Sequence, residues 1–298
     1  MSLDVPAPIR IGDVTIHPLV EEPRYLAAPH VFFPQLDEDP QPADAWYLQP
    51  PHVDAATGQI VLNIQPLLVL TGDRVILLDT GGGNGKVRTS PGFHLRQRPF
   101  WDNFSRLGLT PDDVDTVVLT HLHVDHVGFA TTADGDGWVP SFRNARYLLT
   151  RQEFDFWTGP GGRAGLERTG DYVADSVLPL HTAGVLDFVA PDLTLTPEVR
   201  LVPAFGHTPG NLFVEIASRG ERAVYAGDGI HHAVQLAHPE WSTRYCVDGH
   251  GSAAQRRALL DSIADTATIL IPAHFPVPTA GRVVRDGDAF RYVFHTDG

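Results

Sequence analysis

The stretch Val114-Asp115-Thr116-Val117-Val118-Leu119-Thr120-His121-Leu122-His123-Val124-Asp125-His126-Val127-Gly128 governs how the rest of the chain is read. It opens with a short apolar run, preceded by Thr110-Pro111-Asp112-Asp113, a helix-start signal with proline in the first turn. A run so bounded reads as a short buried strand, Val114–Leu119. Four metal-ligand side chains then fall within six residues. His121 and His123 are two apart, so in an extended segment they point the same way. Asp125 and His126 come where the chain should turn into its next element. Two metal ions could share such a cluster, one on His121 and His123, the other on Asp125 and His126. The plainer alternative is a histidine-rich surface loop, but this density directly after a buried strand favours metal.

The same grammar recurs three times. His207 lies in Gly206-His207-Thr208-Pro209-Gly210 after the apolar run Val199–Val202. Asp228 lies in Gly227-Asp228-Gly229 after Ala223–Ala226, and His274 in Pro272-Ala273-His274-Phe275-Pro276 after Thr268–Ile271. Each polar residue sits at the carboxyl end of a strand and beside Gly or Pro, where loops on a rigid sheet build sites. Singly, each would pass for a structural residue. Together, five histidines and two aspartates at matching positions make a metal site.

Outward from these motifs, strands and helices alternate. Ile9–Ile11 and Val14–Ile16 read as a short strand pair around Gly12-Asp13. Ile60–Leu70 and Val75–Leu78, separated by Thr71-Gly72-Asp73-Arg74, read as a hairpin whose second run ends in Asp79-Thr80-Gly81-Gly82-Gly83. Pro99–Leu107 suits a helix and Ala145–Leu149 a strand. Thr150 with Glu153 opens a helix as a capping box. Ser252 with Gln255 is expected to start a helix through Ala264. Residues 23–58, rich in Pro, Asp and aromatics, read as an extended arm, a surface-packed segment or else a lid or dimer contact. The class expected is α/β, one domain over 1–298 with 1–58 as N-terminal strands plus the arm.

Composition narrows the chemistry. Cys246 is the single cysteine, which rules out a disulfide scaffold and a thiolate-rich zinc site. Histidine, at 15 residues, is the ligand type in surplus. Lys86 is the only lysine, so a lysine base or Schiff base has one candidate at most. The net charge of −14 disfavours a nucleic-acid partner. No run approaches the ~18 apolar residues of a membrane span. Met1–Glu22 lacks a basic start followed by an apolar run, so no signal peptide is expected. A cytoplasmic protein follows as the default expectation.

These motifs resemble the metallo-β-lactamase-fold hydrolase superfamily, over roughly residues 60–276 and in the same order. The resemblance implies an αββα four-layer sandwich carrying a dinuclear site. It implies one metal on His121, His123 and His207, the other on Asp125, His126 and His274, and Asp228 bridging them. Asp79, in the Asp-Thr-Gly turn, matches a position that supports the ligands from behind. Imidazole and carboxylate without thiolate suit Zn²⁺, with Fe, Mn or Co as alternatives. A metal-bridging hydroxide would be the nucleophile. Asp125 would return a proton to the leaving group, giving Asp125 and Asp228 catalytic roles as well.

Departures within the superfamily sort the branches. Asp228 stands where β-lactamases proper lack a bridging aspartate, one class holding cysteine there. His123 stands where flavodiiron relatives carry glutamate. Arg282, Arg285 and Arg291 are the only basic residues in the tail, against the basic grip of glutathione thioesterases. Gly227-Asp228-Gly229-Ile230-His231-His232 and the aromatic arm look most like the N-acyl-homoserine-lactone lactonases and methyl-parathion-type hydrolases. The function expected is opening of a lactone, or cleavage of a neutral ester. Phosphotriester hydrolysis is the alternative, followed by a thioesterase or mono-iron dioxygenase. Phe129, His231, His232, Tyr245 and Phe275 are candidate substrate contacts. Phe33, Phe93 and Trp157 are candidates for an apolar wall. The expected partner is a small-molecule ester or lactone, with a homodimer raised by the arm.

Overall fold

The computed structural model describes residues 6–295. Met1–Val5 and the last three residues, which the expected domain takes in, lie outside the described residues. The chain forms two compact units. One contains Glu22–Asn63 and the chain from Asp192 on; the other contains Asp13–Glu21 and Ile64–Pro191. Strands and helices are mixed in the way the alternation predicts.

In the second of these units, strands Val14–Pro18, Leu67–Thr71, Arg74–Leu78, Thr116–Val118, Arg146–Thr150 and Leu186–Val189 lie side by side in that order. Leu67–Thr71 and Arg74–Leu78 form the expected hairpin, with Thr71 opposite Arg74. Thr116–Val118 runs parallel to both its neighbours, Arg74–Leu78 and Arg146–Thr150. A strand so placed is buried on both faces, which is why the run around it is mostly apolar, broken only by Asp115 and Thr116. Val117, Val118 and Leu119 are completely buried. Each such side chain contributes about 1.5–3 kcal/mol relative to exposure. The histidine-rich loop therefore leaves the sheet from its most constrained strand.

The other unit carries a sheet ordered Val199–Pro203, Leu212–Ser218, Glu221–Gly227, Ile269–Pro272, Gly281–Asp286 and Ala289–Phe294. Glu221–Gly227 is antiparallel to Leu212–Ser218 and parallel to Ile269–Pro272. Val199–Pro203 is antiparallel to Leu212–Ser218 in turn. The strands before His207, Asp228 and His274 thus all run the same way, and the three residues emerge at one end. A register shift between Tyr225 and Gly227 bends the central strand just before Asp228.

Three boundaries differ from the sequence reading. The apolar run 60–70 is broken at Pro66, which has no N–H to give a ladder; Ile60–Ile64 pairs instead with Glu22–Ala27. The helix expected from Ser252 begins at Gly249, because Asp248 caps it by accepting from the Gly251 N–H at 2.9 Å. Residues 23–58 are not wholly extended. They hold the short helices Pro29–Phe32 and Gln35–Glu38, and Phe32, Phe33, Leu36 and Tyr47 join the buried core of their own unit. Prolines keep these helices short while the aromatics supply the burial. Among the described residues no helix is long and apolar enough to cross a membrane.

Candidate metal centre

On the unit with the histidine-rich loop, the ligand atoms of His121 and His123 lie within 4.8 Å of each other, as do those of Asp125 and His126. The rings of His121 and His126 are 4.1 Å apart. Asp79 organises them. It follows strand Arg74–Leu78 with φ at 60°, a left-handed conformation that costs an L-residue energy and persists only where the surroundings enforce it. Its carboxylate accepts from the Thr120 N–H at 2.8 Å and from the Thr120 hydroxyl at 2.9 and 3.0 Å. It also accepts from His126 Nδ1 at 2.9 Å. The Thr120 proton being spent on Asp79, its oxygen accepts from His121 Nδ1 at 3.2 Å. Both rings therefore carry hydrogen on Nδ1 and keep the Nε2 lone pair for a cation. Gly128, just beyond the loop, is forced by space. A Cβ there would lie 1.9 Å from the Gly82 carbonyl carbon.

On the other unit, Asp228 is ringed by three imidazoles. His207 Nε2 and His231 Nε2 approach its Oδ2 at 3.2 and 3.1 Å, and His274 Nε2 approaches Oδ1 at 2.8 Å. All four residues are buried. His274 Nδ1 lies 2.7 Å from the Asn63 carbonyl oxygen, which can only accept. So the neutral His274 ring presents a lone pair to a carboxylate, acceptor against acceptor, unless a cation or proton lies between. Burial works against charge on His207, but Cys246, 3.4 Å from its Nδ1, and Asp228 outweigh that and lift its pKa to about 10. A metal held by His207 must displace that proton. Burial pushes His231 the other way, to about 4, and keeps it neutral. Gly206 has φ at +137°, and a Cβ there would meet the Ser252 nitrogen at 2.1 Å, so only glycine fits beside His207.

The donor set suits divalent metal. It is all imidazole and carboxylate, with outer ring nitrogens occupied by acceptors, the arrangement that fixes metal-ligating histidines. Residues 61–274 match the model of the metallo-beta-lactamase superfamily. The chain belongs to that superfamily. An N-acyl homoserine lactonase of Bacillus thuringiensis is 30% identical over 117 residues, covering 39% of this chain; the chain spans 38% of that relative's length. Two solved structures share the fold at 22% identity. One is the hydrolase AbOPH, with a TM-score of 0.79 and full coverage of both chains. The other is AidC, a dizinc quorum-quenching lactonase, with a TM-score of 0.76 over 98% of each chain.

Around this superfamily scaffold, the aromatic candidates separate. Phe129 stacks on Phe100 at 4.2 Å and Phe275 packs edge-on to Tyr292 at 4.8 Å, both buried. Phe33 is buried in the core of its unit. His232 donates through Nε2 to the His52 carbonyl at 3.0 Å, which ties the arm to the loop after Asp228. Tyr245, partly exposed, sits edge-on to Phe32 at 5.2 Å, and Phe32 in turn meets His231 at 5.6 Å. Trp157 contacts His123 at 5.2 Å, and Phe93 is buried.

Three supporting residues escaped the sequence reading. Glu153 is fully buried and accepts from the Leu122 N–H at 2.9 Å and from Trp157 Nε1 at 2.7 Å. It thus fixes the backbone between His121 and His123 as well as the ring beside His123. Its only sequence signal was the capping position. The Asn63 carbonyl and the Cys246 thiol gave none.

Proposed function

We propose that the two clusters act together as a dinuclear metal-dependent hydrolase of a neutral lactone or ester, with N-acyl-homoserine lactones as the first substrate class. In this reading His121, His123 and His207 hold one divalent ion, Asp125, His126 and His274 the other, and Asp228 bridges them. The observation that carries it is the environment of Asp228. One oxygen faces His207, the other faces His274, and His274 is locked so that its lone pair points at the carboxylate. Superfamily membership and the similarity to N-acyl homoserine lactonases support the reaction class. Two divalent ions, zinc first, would supply a low-pKa water and polarise the substrate carbonyl.

The chain's own groups do the rest. Asp79 and the Asn63 carbonyl hold three imidazoles in the tautomer that binds metal. The Asp125 side chain is 20% exposed, against 4% for Asp228. Asp125 is therefore the ligand carboxylate that solvent and product can reach, and it would take the proton released by the attacking water and pass it to the departing alkoxide. A neutral substrate also suits an acidic chain, which would repel an anionic one.

The test is turnover by protein loaded with defined metals, on acyl-homoserine lactones, simple lactones, aryl esters, phosphotriesters and a β-lactam. Lactone opening with two bound ions, abolished by chelation and restored by zinc, is expected. One bound iron with oxygen uptake, or two ions with no lactone or ester turnover, overturns the reading.

A further inference from the structure

The three histidines around Asp228 are not equivalent. His207 and His274 each have Nδ1 against an outer partner, the Cys246 sulfur at 3.4 Å and the Asn63 carbonyl at 2.7 Å. His231 has no such partner: its Nδ1 is buried without a hydrogen bond among the described residues. A carboxylate accepts only, so the 3.1 Å contact between His231 Nε2 and Asp228 Oδ2 is a donation by His231. Its one proton is spent on the aspartate, and its lone pair is on the far side of the ring. His231 is thus wired in the opposite sense to a ligand.

The ring is also held in place. The His231 backbone N–H donates to Gln235 Oε1 at 2.8 Å, which fixes the backbone that carries the ring, and Gln235 is itself fully buried. The imidazole stacks on His274 at 5.6 Å with planes 15° apart and takes the edge of Phe32 at 5.6 Å. Leaving a buried acceptor unmade costs stability, and a phenylalanine of similar shape would avoid that cost. A residue kept only for packing would not need the imidazole.

We propose that His231 is a positioning residue that fixes Asp228 as a bridge. It donates to Oδ2, prevents the carboxylate from rotating about its Cβ–Cγ bond, and offsets part of its charge without competing for metal. The proposal rests on the dinuclear reading above. That reading leaves His231 out of the ligand set; the sequence alone offered it only as a contact to substrate or to a metal ligand, without saying which.

The test compares His231→Phe, which keeps the ring and removes the donor, with His231→Gln, whose amide can restore a donor near the Nε2 position. Two readouts are taken on purified full-length protein: affinity for each zinc equivalent by chelator competition, and lactone kinetics at saturating zinc. His231→Phe should weaken the second equivalent and lower kcat, each by roughly 10- to 100-fold, with KM little changed. His231→Gln should recover to within about threefold of the parent. In an Asp228→Asn background, His231→Phe should add no further loss. If His231→Phe fails to fold, the His231→Gln and His231→Asn pair decides, since the asparagine amide does not reach the Nε2 position. Unchanged metal affinity and kcat in His231→Phe, or equal loss in Phe and Gln, or equal loss in Gln and Asn where that pair decides, overturns the proposal. Parent protein that fails to bind two ions overturns the dinuclear reading instead, so the two failures are distinct.

Discussion

Asp79 and Asp228 are both buried aspartates at the carboxyl ends of strands, one on each unit, yet their neighbours differ in kind. Asp79 is surrounded by donors: a backbone N–H, a hydroxyl and a ring N–H. Asp228 has three imidazoles around it, and one of them, His274, is fixed with its lone pair forward. A carboxylate whose lone pairs are all taken by donors is scaffold. A carboxylate with one oxygen set against a lone pair, as Asp228 Oδ1 is against His274, marks a place for a cation, although His207 and His231 reach its other oxygen as donors. Burial alone does not separate the two, since buried charge is tolerated in either arrangement once it is compensated.

Replacing Asp228 breaks the comparison at its most sensitive point. Asp228→Asn puts an amide where two ions should meet. Lactone turnover should fall by more than the roughly 10- to 100-fold typical of an outer hydrogen-bond partner. Metal analysis should show loss of about one equivalent. A variant that keeps two ions and parental turnover would mean Asp228 is as much scaffold as Asp79.

Asp79→Asn should act more weakly and through a different quantity. The asparagine oxygen can still accept from Thr120, but its NH₂ then meets the His126 Nδ1–H, donor against donor. His126 must change tautomer or turn. Chelator competition should show metal affinity lowered by roughly 10- to 100-fold, with kcat at saturating zinc closer to the parent. If kcat falls as far as in Asp228→Asn and affinity does not move, the division between holding and bridging fails.

The same contrast explains what could be read from the sequence. The loop 120–126 stood out because its candidate ligands are packed into six residues directly after a mostly apolar run. His207, Asp228 and His274 are scattered, and were singled out because each follows an apolar run and sits beside Gly or Pro. What supports them was mostly hidden. The partner of His274 is a backbone carbonyl at Asn63, and a carbonyl has no residue-type signature. Glu153 satisfied a capping pattern, which masked its second use beneath Leu122. Asp248 and Ser252 are about equally good caps, and the helix starts at the earlier of the two, a choice that residue type does not encode. The arm at 23–58 reads as rich in Pro, Asp and aromatics, yet five of its apolar residues, Phe32, Phe33, Leu36, Tyr47 and Val53, are in the core. Proline density speaks to helix length, not to burial.

A half-buried carboxylate with a buried lysine beside it sharpens the comparison with the smallest expected effect on the site. Asp175, on the same unit as Asp79, takes the Arg88 guanidinium at both oxygens and Lys86 Nζ at 3.2 Å. Lys86 is 1% exposed, also donates to Thr131 at 2.8 Å, and lies 3.8 Å above the Trp138 ring. Two cations share one carboxylate, so Lys86 is the charge in excess. Burial lowers its pKa to about 8, with Asp175 only partly offsetting this. In the unfolded chain the value is about 10.4. Between those limits the unfolded state binds more protons, so stability rises with pH; below about 8 both states are charged and the contribution is flat. Lys86→Met should therefore remove an alkaline rise of about 2–3 kcal/mol between pH 8 and 10.5, measured as the difference from the parent in urea unfolding. Asp175 keeps Arg88, so the variant should fold and be at least as stable at pH 7, as replacement of a buried ion by an apolar chain allows. Its zinc affinity and lactone kinetics should match the parent. If zinc affinity moves with Lys86, the polar cluster around Asp175 and the ligand loop are coupled, and Asp79 and Glu153 do not hold that loop by themselves.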